Sequence, residues 1–486
     1  MINLLKQLAG ESLIYGVSNI ITRFISVFLM PLYTRAFSPE DYGVISIINS
    51  FLFFVSMLVL FSLDNASLRW YYDTEEITER KKTISSWFWF QTIFTFLISA
   101  LIIVFVKTIS NKLLHTEDTS IITYAIFGLS TGVLPIVVQN WLRIQRKALL
   151  TVFFSLSYAI VTIVLTVLFV LYQKTGVIGI FYAICVSNIV MSFVGVLIIY
   201  KWISLKYFSY NRLVEMLKYA APYLPVSISF WLINSSAAFV LEYYHPMAEV
   251  GLFQLGITIS SAVALFTSSF QMAWNPFAFS IMKQPNAKSV YSTVLTVYTI
   301  LTSITVLLVS LFAKEILVIF TTPDYYEAKV VAGLLAFNSA IYSFVFFVGI
   351  GNNIIKNNKP FAVSAIIGAL ITVICMFLFI PTYGKIGAAY SMILGNIFIP
   401  IYVYISAQKK YYIPFNILFV VLIYSLSFVT FLFSLMVDSN LEGFQFSFKM
   451  LLGLMFILFS FIGLFLFDRK SYNSSIFLFK KYFIKK

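Results

Sequence analysis

Long apolar segments recur from one end of this chain to the other, and they limit its possible folds more than any other feature. A helix needs roughly 20 apolar residues to cross a bilayer. About fourteen segments approach or exceed that length: 12–34, 42–63, 86–106, 120–141, 149–172, 177–200, 221–241, 250–270, 290–312, 331–351, 361–380, 386–406, 414–436 and 447–467. Because only 11% of the residues are charged, a soluble globular chain is excluded. The sequence predicts an all-α polytopic membrane protein with about fourteen transmembrane helices.

The basic residues predict how the chain is oriented in the membrane. With the N-terminus in the cytoplasm, 24 lysines and arginines fall on that side and 8 on the other. Cytoplasmic loops carry the excess of basic residues, so we expect both termini in the cytoplasm. The net charge of +14 then reflects topology and contact with membrane lipids, and we expect no nucleic-acid partner.

A repeat with a constant offset of 208 residues relates the first six segments to the next six. The matching pairs, with no gap between the first and the last, include Gly43 and Gly251, Gly176 and Gly384, Gly179 and Gly387, Tyr182 and Tyr390, and Asn188 and Asn396. Because six is an even number, both halves begin on the same side of the membrane. The repeat is therefore parallel, as in transporters that alternate access between two bundles.

The repeat predicts three regions along the chain. They are an N-terminal six-helix lobe (1–210), a C-terminal six-helix lobe (211–410), and two extra helices with a basic cytoplasmic tail (411–486). The polar segment Lys201–Lys218 is predicted to be the hinge between the lobes.

Arg23 is the clearest candidate for a binding residue. It lies midway along the first apolar segment, close to Asn19, with no carboxylate within one helical turn. A charge at that depth is costly unless it faces water or a partner. We predict that Arg23 and Asn19 face a central hydrated cavity, and the alternative is a structural pairing of Arg23 with Asp64.

A second basic group lies where the second and fourth segments end, on the predicted cytoplasmic side. Arg69 follows Asp64 and Asn65, and Arg143 follows Asn140. Because arginine binds phosphate through bidentate hydrogen bonds, these residues predict a site for an anionic headgroup at the cytoplasmic mouth of a pathway. Ordinary anchoring by basic loops is the alternative.

The corresponding inner positions of the second lobe are mostly neutral, and Asn234 is one of them. A neutral lining opposite a cationic one suits a substrate with a charged end and a hydroxylated end. Asparagines in membrane helices also hold neighbouring helices together, which is the structural alternative.

The chain carries no sequence pattern of a known catalytic or metal site. It has neither a Walker-type phosphate loop nor an HExxH or Gly-x-Ser-x-Gly motif, and its two histidines lie in separate loops. We therefore expect no enzymatic activity, no cofactor and no bound metal. Carboxylates that could couple transport to an ion are limited to Asp64 and Glu242, so the coupling mechanism stays open.

Several short motifs stand at the ends of the apolar segments: Tyr15–Ile20, Pro31–Arg35, Ser38–Gly43, Arg69–Tyr72, Trp274–Phe277 and Ile380–Ala389. Together they resemble the oligosaccharide (O-antigen and capsule-type) flippases of the polysaccharide biosynthesis protein family, within the multidrug/oligosaccharidyl-lipid/polysaccharide exporter superfamily. Two six-helix lobes followed by two extra helices is also the plan of that family.

The resemblance implies a flippase of the bacterial plasma (inner) membrane. Its substrate would be an undecaprenyl-diphosphate-linked oligosaccharide, moved from the inner to the outer leaflet for cell-surface polysaccharide synthesis by alternating access between two lobes. Arg23 and its basic neighbours would hold the diphosphate, and a polysaccharide polymerase and glycosyltransferases would be partners.

Three other functions compete with this one. A multidrug or cation antiporter of the same fold would need acidic lobes, which the few buried carboxylates disfavour. A membrane scaffold is a second alternative. A lipid-linked glycosyltransferase is the third, and it would carry acidic residues in a large polar loop, whereas the loops here are short.

Overall fold

The structure, a computed structural model, describes residues 29–440 and 445–467, and every regular element in them is a helix. Asn19, Arg23 and most of the first apolar segment lie outside the described residues, and the basic tail does as well.

The chain divides into two compact units, Met1–Gly251 and Leu252–Lys486. The helices up to the first boundary are α1 (Pro39–Leu60), α2 (Leu63–Tyr71), α3 (Ile77–Val104), α4 (Val106–Leu114), α5 (Ser120–Thr131), α6 (Val133–Ile144), α7 (Ala148–Val167), α8 (Ile178–Ile199), α9 (Tyr210–Ala220), α10 (Leu224–Asn234) and α11 (Ala237–Tyr244). The boundary itself falls within the next helix, α12 (Met247–Ile281).

The second unit continues with helices of very different lengths. They are α13 (Ala287–Leu311), α14 (Ala313–Phe320), α15 (Lys329–Ser343), α16 (Val345–Val348), α17 (Ile350–Ile354), α18 (Lys359–Lys410), α19 (Ile417–Asn440) and α20 (Gln445–Phe467). The sequence predicts lobe boundaries near 210 and 410, whereas the two compact units meet at residue 251. The predicted boundaries stay a prediction.

Membrane-length helices account for each apolar segment in the described residues. Eleven helical stretches are long and apolar enough to cross a membrane. A twelfth candidate is the pair Tyr210–Asn234 and Ala237–Tyr244, which bends by 41° at the short break between its two parts. The predicted all-α polytopic fold is confirmed.

The longest helix, α18, is two antiparallel helices in close contact. It runs over 52 residues, but Gly384 breaks it with φ 52° and ψ −132°. A Cβ built on Gly368 would lie 2.9 Å from the carbonyl oxygen of Gly395, which is possible only if the two halves fold back on each other. The predicted segments 361–380 and 386–406 are therefore separate spans joined by a turn, and glycine is needed there because φ is positive.

Local sequence explains where the second predicted span begins, and a break in the backbone divides the span near its other end. Ser38 caps α1 with its hydroxyl while Asp41 caps the Ser38 backbone, and Pro39 takes the first helical position. At the other end Phe61 and Ser62 adopt left-handed φ values of 51° and 52°, which separate α1 from α2. α2 forms the polar end of this span.

The segment predicted as a hinge is docked on α3. Ser85 donates a hydrogen bond of 2.6 Å to the Ser204 carbonyl, and the Trp89 indole donates one of 2.8 Å to the Ile203 carbonyl. The Ser209 backbone N–H donates to Ser86 at 2.8 Å. Residues 203–209 are thus hydrogen-bonded to α3 within the first unit, and the predicted hinge stays a prediction.

Two glycines related by the 208-residue repeat lie against each other within the first unit. A Cβ on Gly251 would lie 1.9 Å from the Pro39 carbonyl oxygen and 3.0 Å from the Gly43 nitrogen. A Cβ on Gly43 would lie 2.2 Å from the Met247 carbonyl oxygen. The first turns of α1 and α12 therefore cross with their backbones in contact.

A labelling experiment checks the orientation across a single helix. Lys147 and Lys174 are both exposed and stand at opposite ends of the span that contains α7. In a protein with Cys185 and Cys375 replaced by alanine, we expect Lys174→Cys to react with a membrane-impermeant maleimide on intact cells. Lys147→Cys should react only after permeabilisation. Reaction of both sites from the same side would contradict the topology.

Candidate functional site

The ends of several helices meet at one face of the first unit, here called the basic end, formed by residues 69–82, 143–147 and 201–218. The Tyr72 hydroxyl donates a hydrogen bond to the Ile144 carbonyl, and the Gln145 side chain donates to the Tyr71 hydroxyl. These bonds connect the C-terminal ends of α2 and α6. The basic residues predicted to form one mouth are therefore gathered on one face.

Helix α9 lies on this face and is held by charged and apolar contacts. Arg212 pairs with Glu79 at 2.8 Å, and the same carboxylate pairs with Lys82 at 2.7 Å. The Trp70 indole donates to Glu215 at 3.1 Å. On the other side of α9, Leu213, Met216 and Ala220 are buried in the apolar core beneath. This amphipathic pattern places the C-terminal end of α9 beside α2.

A cavity of about 410 Å³ opens between α2 and the end of α9, and we call it the tyrosine pocket. Its lining consists of one arginine, one asparagine, one leucine and three tyrosines: Asn65, Leu68, Arg69, Tyr72, Tyr219 and Tyr223. Arg69 Nη1 lies 2.7 Å from Asp73 Oδ1, and both side chains are 57% exposed. The pocket thus combines a cation that is accessible to solvent with aromatic rings and hydroxyl groups.

The other residues predicted for this mouth do not line the tyrosine pocket. Arg143 is exposed in the last turn of α6 and forms no ion pair with any residue that the structure describes. Asp64 is exposed in the first turn of α2. Asn140 is half-buried on α6, while its neighbour Gln139 lines a different cavity. Their roles in binding stay predictions.

That second cavity, of about 470 Å³, lies inside the helical bundle of the first unit. Gln139 donates a hydrogen bond to Ser155, Tyr158 donates to Asn188 at 2.8 Å, and Asn188 donates to the Gly128 carbonyl at 2.7 Å. Each of these polar groups is paired, which meets the requirement for polar side chains inside a membrane bundle.

The second unit contains a larger and almost wholly apolar cavity of about 700 Å³. It is lined by residues of α13, α15, α16 and the second half of α18, together with α19. Residues of α19 that line it are Ile417, Val420, Val421, Tyr424, Ser425 and Phe428. The first of the two extra helices therefore forms one wall of this cavity, which suits a hydrocarbon chain rather than a charged ligand.

Asn234, the predicted neutral binding residue, is exposed at the bend between α10 and α11 and donates to the Phe230 carbonyl of its own helix at 2.8 Å. Further along, Asn396 donates to Asn338 at 2.9 Å, and Asn352 donates to the Val403 carbonyl at 3.3 Å. These last contacts join helices, as the structural alternative predicts. No group of residues suited to hold a metal ion occurs in the described part of the chain.

Sequence reasoning missed three residues of the tyrosine pocket and its neighbourhood: Asp73, Tyr219 and Tyr223. Both tyrosines lie 150 or more positions from Arg69 in the sequence, so only the docking of α9 brings them together. The amphipathic pattern of 210–220 is the signal that could have indicated a helix packed on the membrane face.

The fold is that of a class of membrane transport proteins. A structure of the lipid II flippase MurJ, in an inward closed conformation, is similar over 94% of this chain and 99% of MurJ, with a TM-score of 0.72 and 17% identity. An inward-facing multidrug resistance MATE transporter of the MOP superfamily is similar over 81% of this chain and 94% of the transporter, with a TM-score of 0.60 and 16% identity. The Vibrio cholerae MATE transporter VcmN, in its bent form, is similar over 84% of this chain and 97% of VcmN, with a TM-score of 0.51 and 14% identity. At these identities the similarity establishes the fold alone.

The family follows from the sequence itself. Residues 8–282, more than half of the chain, match the family described as Polysaccharide biosynthesis protein, and the chain belongs to that family. Comparison with curated protein sequences gives no significant match. The family expected from the motifs at the ends of the apolar segments is therefore confirmed.

Proposed function

We propose that this protein is a flippase that moves a polyprenyl-diphosphate-linked oligosaccharide from the inner to the outer leaflet of the bacterial plasma membrane. The tyrosine pocket is the observation that carries the proposal. An arginine with neighbouring tyrosines at the basic end offers bidentate binding to phosphate and aromatic surfaces with hydroxyl groups to a sugar. Membership of the polysaccharide biosynthesis family supports the same substrate class.

The apolar cavity of the second unit supports a lipid-linked substrate over a free sugar. Its lining is apolar apart from a few hydroxyl groups, of which Tyr404, Tyr424 and Ser425 are examples. Burying a hydrocarbon chain there is favourable by about 0.8 kcal/mol for each CH₂ removed from water. From the bilayer the gain is smaller, so the cavity would guide an isoprenyl tail without holding it tightly. In this proposal the tail uses this cavity while the glycan follows the polar route that Arg23 and the basic end provide.

An antiporter of organic cations is the second candidate, because MATE structures share the fold. A site for cations needs negative charge, yet none of the residues lining the three cavities described above is an aspartate or glutamate. The arginine in the tyrosine pocket would repel such a substrate. The charges in the described cavities therefore favour an anionic substrate.

Deletion of the gene, followed by analysis of the lipid-linked glycans, tests the proposal. We expect a polyprenyl-diphosphate glycan to accumulate in the inner leaflet, where an impermeant glycan-oxidising reagent cannot reach it in intact cells. Restoring the wild-type chain should return the glycan to the outer leaflet. Unchanged glycan distribution together with increased sensitivity to cationic dyes would refute the flippase and support the antiporter.

A further inference from the structure

The ion pair in the tyrosine pocket has the properties of a weak, replaceable contact. Arg69 and Asp73 are 2.7 Å apart, but both side chains are 57% exposed. Exposed pairs of this i,i+4 kind contribute little to stability, because water and salt screen them. The guanidinium has five N–H donors and Asp73 is placed to accept from one of its nitrogens. A phosphate group, which accepts two parallel hydrogen bonds, would compete effectively for the same donors.

The tyrosines that form the walls of the pocket are held by ring packing and by a hydrogen bond. The Trp70 ring packs edge-on against the Tyr219 ring, and the two ring centres are 5.3 Å apart. The ring centres of Tyr219 and Tyr223 are 5.9 Å apart. Tyr72 is held by its hydrogen bond to Ile144. The cavity of about 410 Å³ is within the roughly 300–1,000 Å³ range of small-molecule sites. Packed rings beside an exposed acidic side chain indicate a preformed site whose anion position is already filled.

We propose that the tyrosine pocket is a loading site for the sugar-diphosphate end of a lipid-linked glycan, and that Asp73 holds the place of a phosphate until the substrate displaces it. The inference rests on the proposed function, since it names the part of the substrate that the pocket binds. A loading site must release its ligand to the pathway. The carboxylate does this by competing for Arg69, which keeps binding weak and reversible.

Binding to the purified full-length protein in nanodiscs tests this directly. The probes are a short-chain isoprenyl diphosphate carrying one N-acetylhexosamine and the same diphosphate without the sugar. We expect Arg69→Ala to weaken both probes at least about tenfold, as the loss of a charge-assisted hydrogen bond predicts. Asp73→Asn should tighten both by about two- to fivefold, the range that an exposed ion pair allows.

Matched variants separate these effects from general changes of charge. Glu75→Gln removes the same charge from an exposed position two residues away and should leave both affinities unchanged. Lys218→Ala removes a positive charge from α9 outside the pocket lining and should also be neutral. Tyr219→Ala should weaken only the sugar-bearing probe, and Tyr219→Phe, which keeps the ring, should restore most of that loss.

The outcomes separate the loading site from the flippase function. If Asp73→Asn binds no more tightly than Glu75→Gln, the competitor role of Asp73 is wrong. Equal losses for Lys218→Ala and Arg69→Ala would reduce the pocket to a general basic surface. If the binding results hold but deletion of the gene leaves glycan distribution unchanged, the pocket binds diphosphates and the flippase proposal fails. Normal glycan export with no probe binding would reject the loading site alone.

Discussion

Arg23→Ala is expected to abolish glycan export while the protein still reaches the membrane in normal amount. The residue lies in the middle of the first apolar segment without a neighbouring carboxylate, where a charge is tolerated chiefly for function. A charge-assisted hydrogen bond contributes about 1.5–3 kcal/mol, so losing it should lower export at least about tenfold. Export is measured as the fraction of lipid-linked glycan accessible at the cell surface, in a deletion strain carrying each variant.

A graded series makes the role of Arg23 testable. Arg23→Lys keeps the charge but not the planar fork, and it should retain part of the activity. Arg69→Ala and Arg143→Ala should reduce export less, because both residues are exposed where water screens their contacts. Arg35→Ala, an exposed arginine just after the same predicted segment, is the matched control and should export normally. Normal export by Arg23→Ala, or a loss explained by misfolding, would make Arg23 a structural residue.

Gly251→Ala is expected to destabilise the protein strongly. The added methyl group would lie 1.9 Å from the Pro39 carbonyl oxygen, a backbone atom that cannot rotate away. Overpacking in a well-packed core costs about 1–3 kcal/mol, and a clash between two backbones should reach the top of that range. Gly43→Ala should lower the stability similarly, because its methyl group would lie 2.2 Å from the Met247 carbonyl oxygen. The measurement is the midpoint of thermal aggregation in detergent, read by fluorescence-detected size exclusion.

Gly453→Ala serves as the control for the glycine crossing. Gly453 lies within a membrane-length helix, α20, and a methyl group there would meet nothing closer than 4.0 Å. The variant should match the wild type or exceed it slightly, because alanine favours helix more than glycine does. If Gly251→Ala is as stable as Gly453→Ala, the close crossing of α1 and α12 does not exist in the folded protein.

Segment length and hydrophobicity were sufficient to predict the membrane helices. The break within α18 was also predicted, because Gly384 falls in a glycine-rich turn between two apolar segments. Helical periodicity is weak in these uniformly apolar segments, so the length of a segment is the feature that predicts a membrane helix. The break between α1 and α2 at Phe61 and Ser62 could not be predicted, because non-glycine residues adopt left-handed φ only when tertiary packing holds them there.

The candidate site was only partly visible in the sequence. Arg69 stood out because arginine ended an apolar segment beside aromatic residues. Tyr219 and Tyr223 carry no such signal, because tyrosine at a membrane interface is common and both residues follow the predicted hinge, Lys201–Lys218. The apolar cavity could not be predicted either, because the sequence of 414–436 does not distinguish a helix that faces only lipid from one that also lines a cavity. In each case the missing information was which face of one helix packs against another.

Positions related by the internal repeat line both interior cavities, so the linings of the two cavities can be compared directly. Leu129 and Ile136 line the cavity of the first unit, and Phe337 and Phe344, 208 positions later, line that of the second. The cavity of the first unit has amide and hydroxyl groups in its lining, whereas the cavity of the second unit is almost wholly apolar and has α19 as an additional wall. The two cavities at repeat-related positions thus differ in the polarity of their linings. A chain assembled from two copies of the first half would therefore lack the apolar cavity that α19 helps to line.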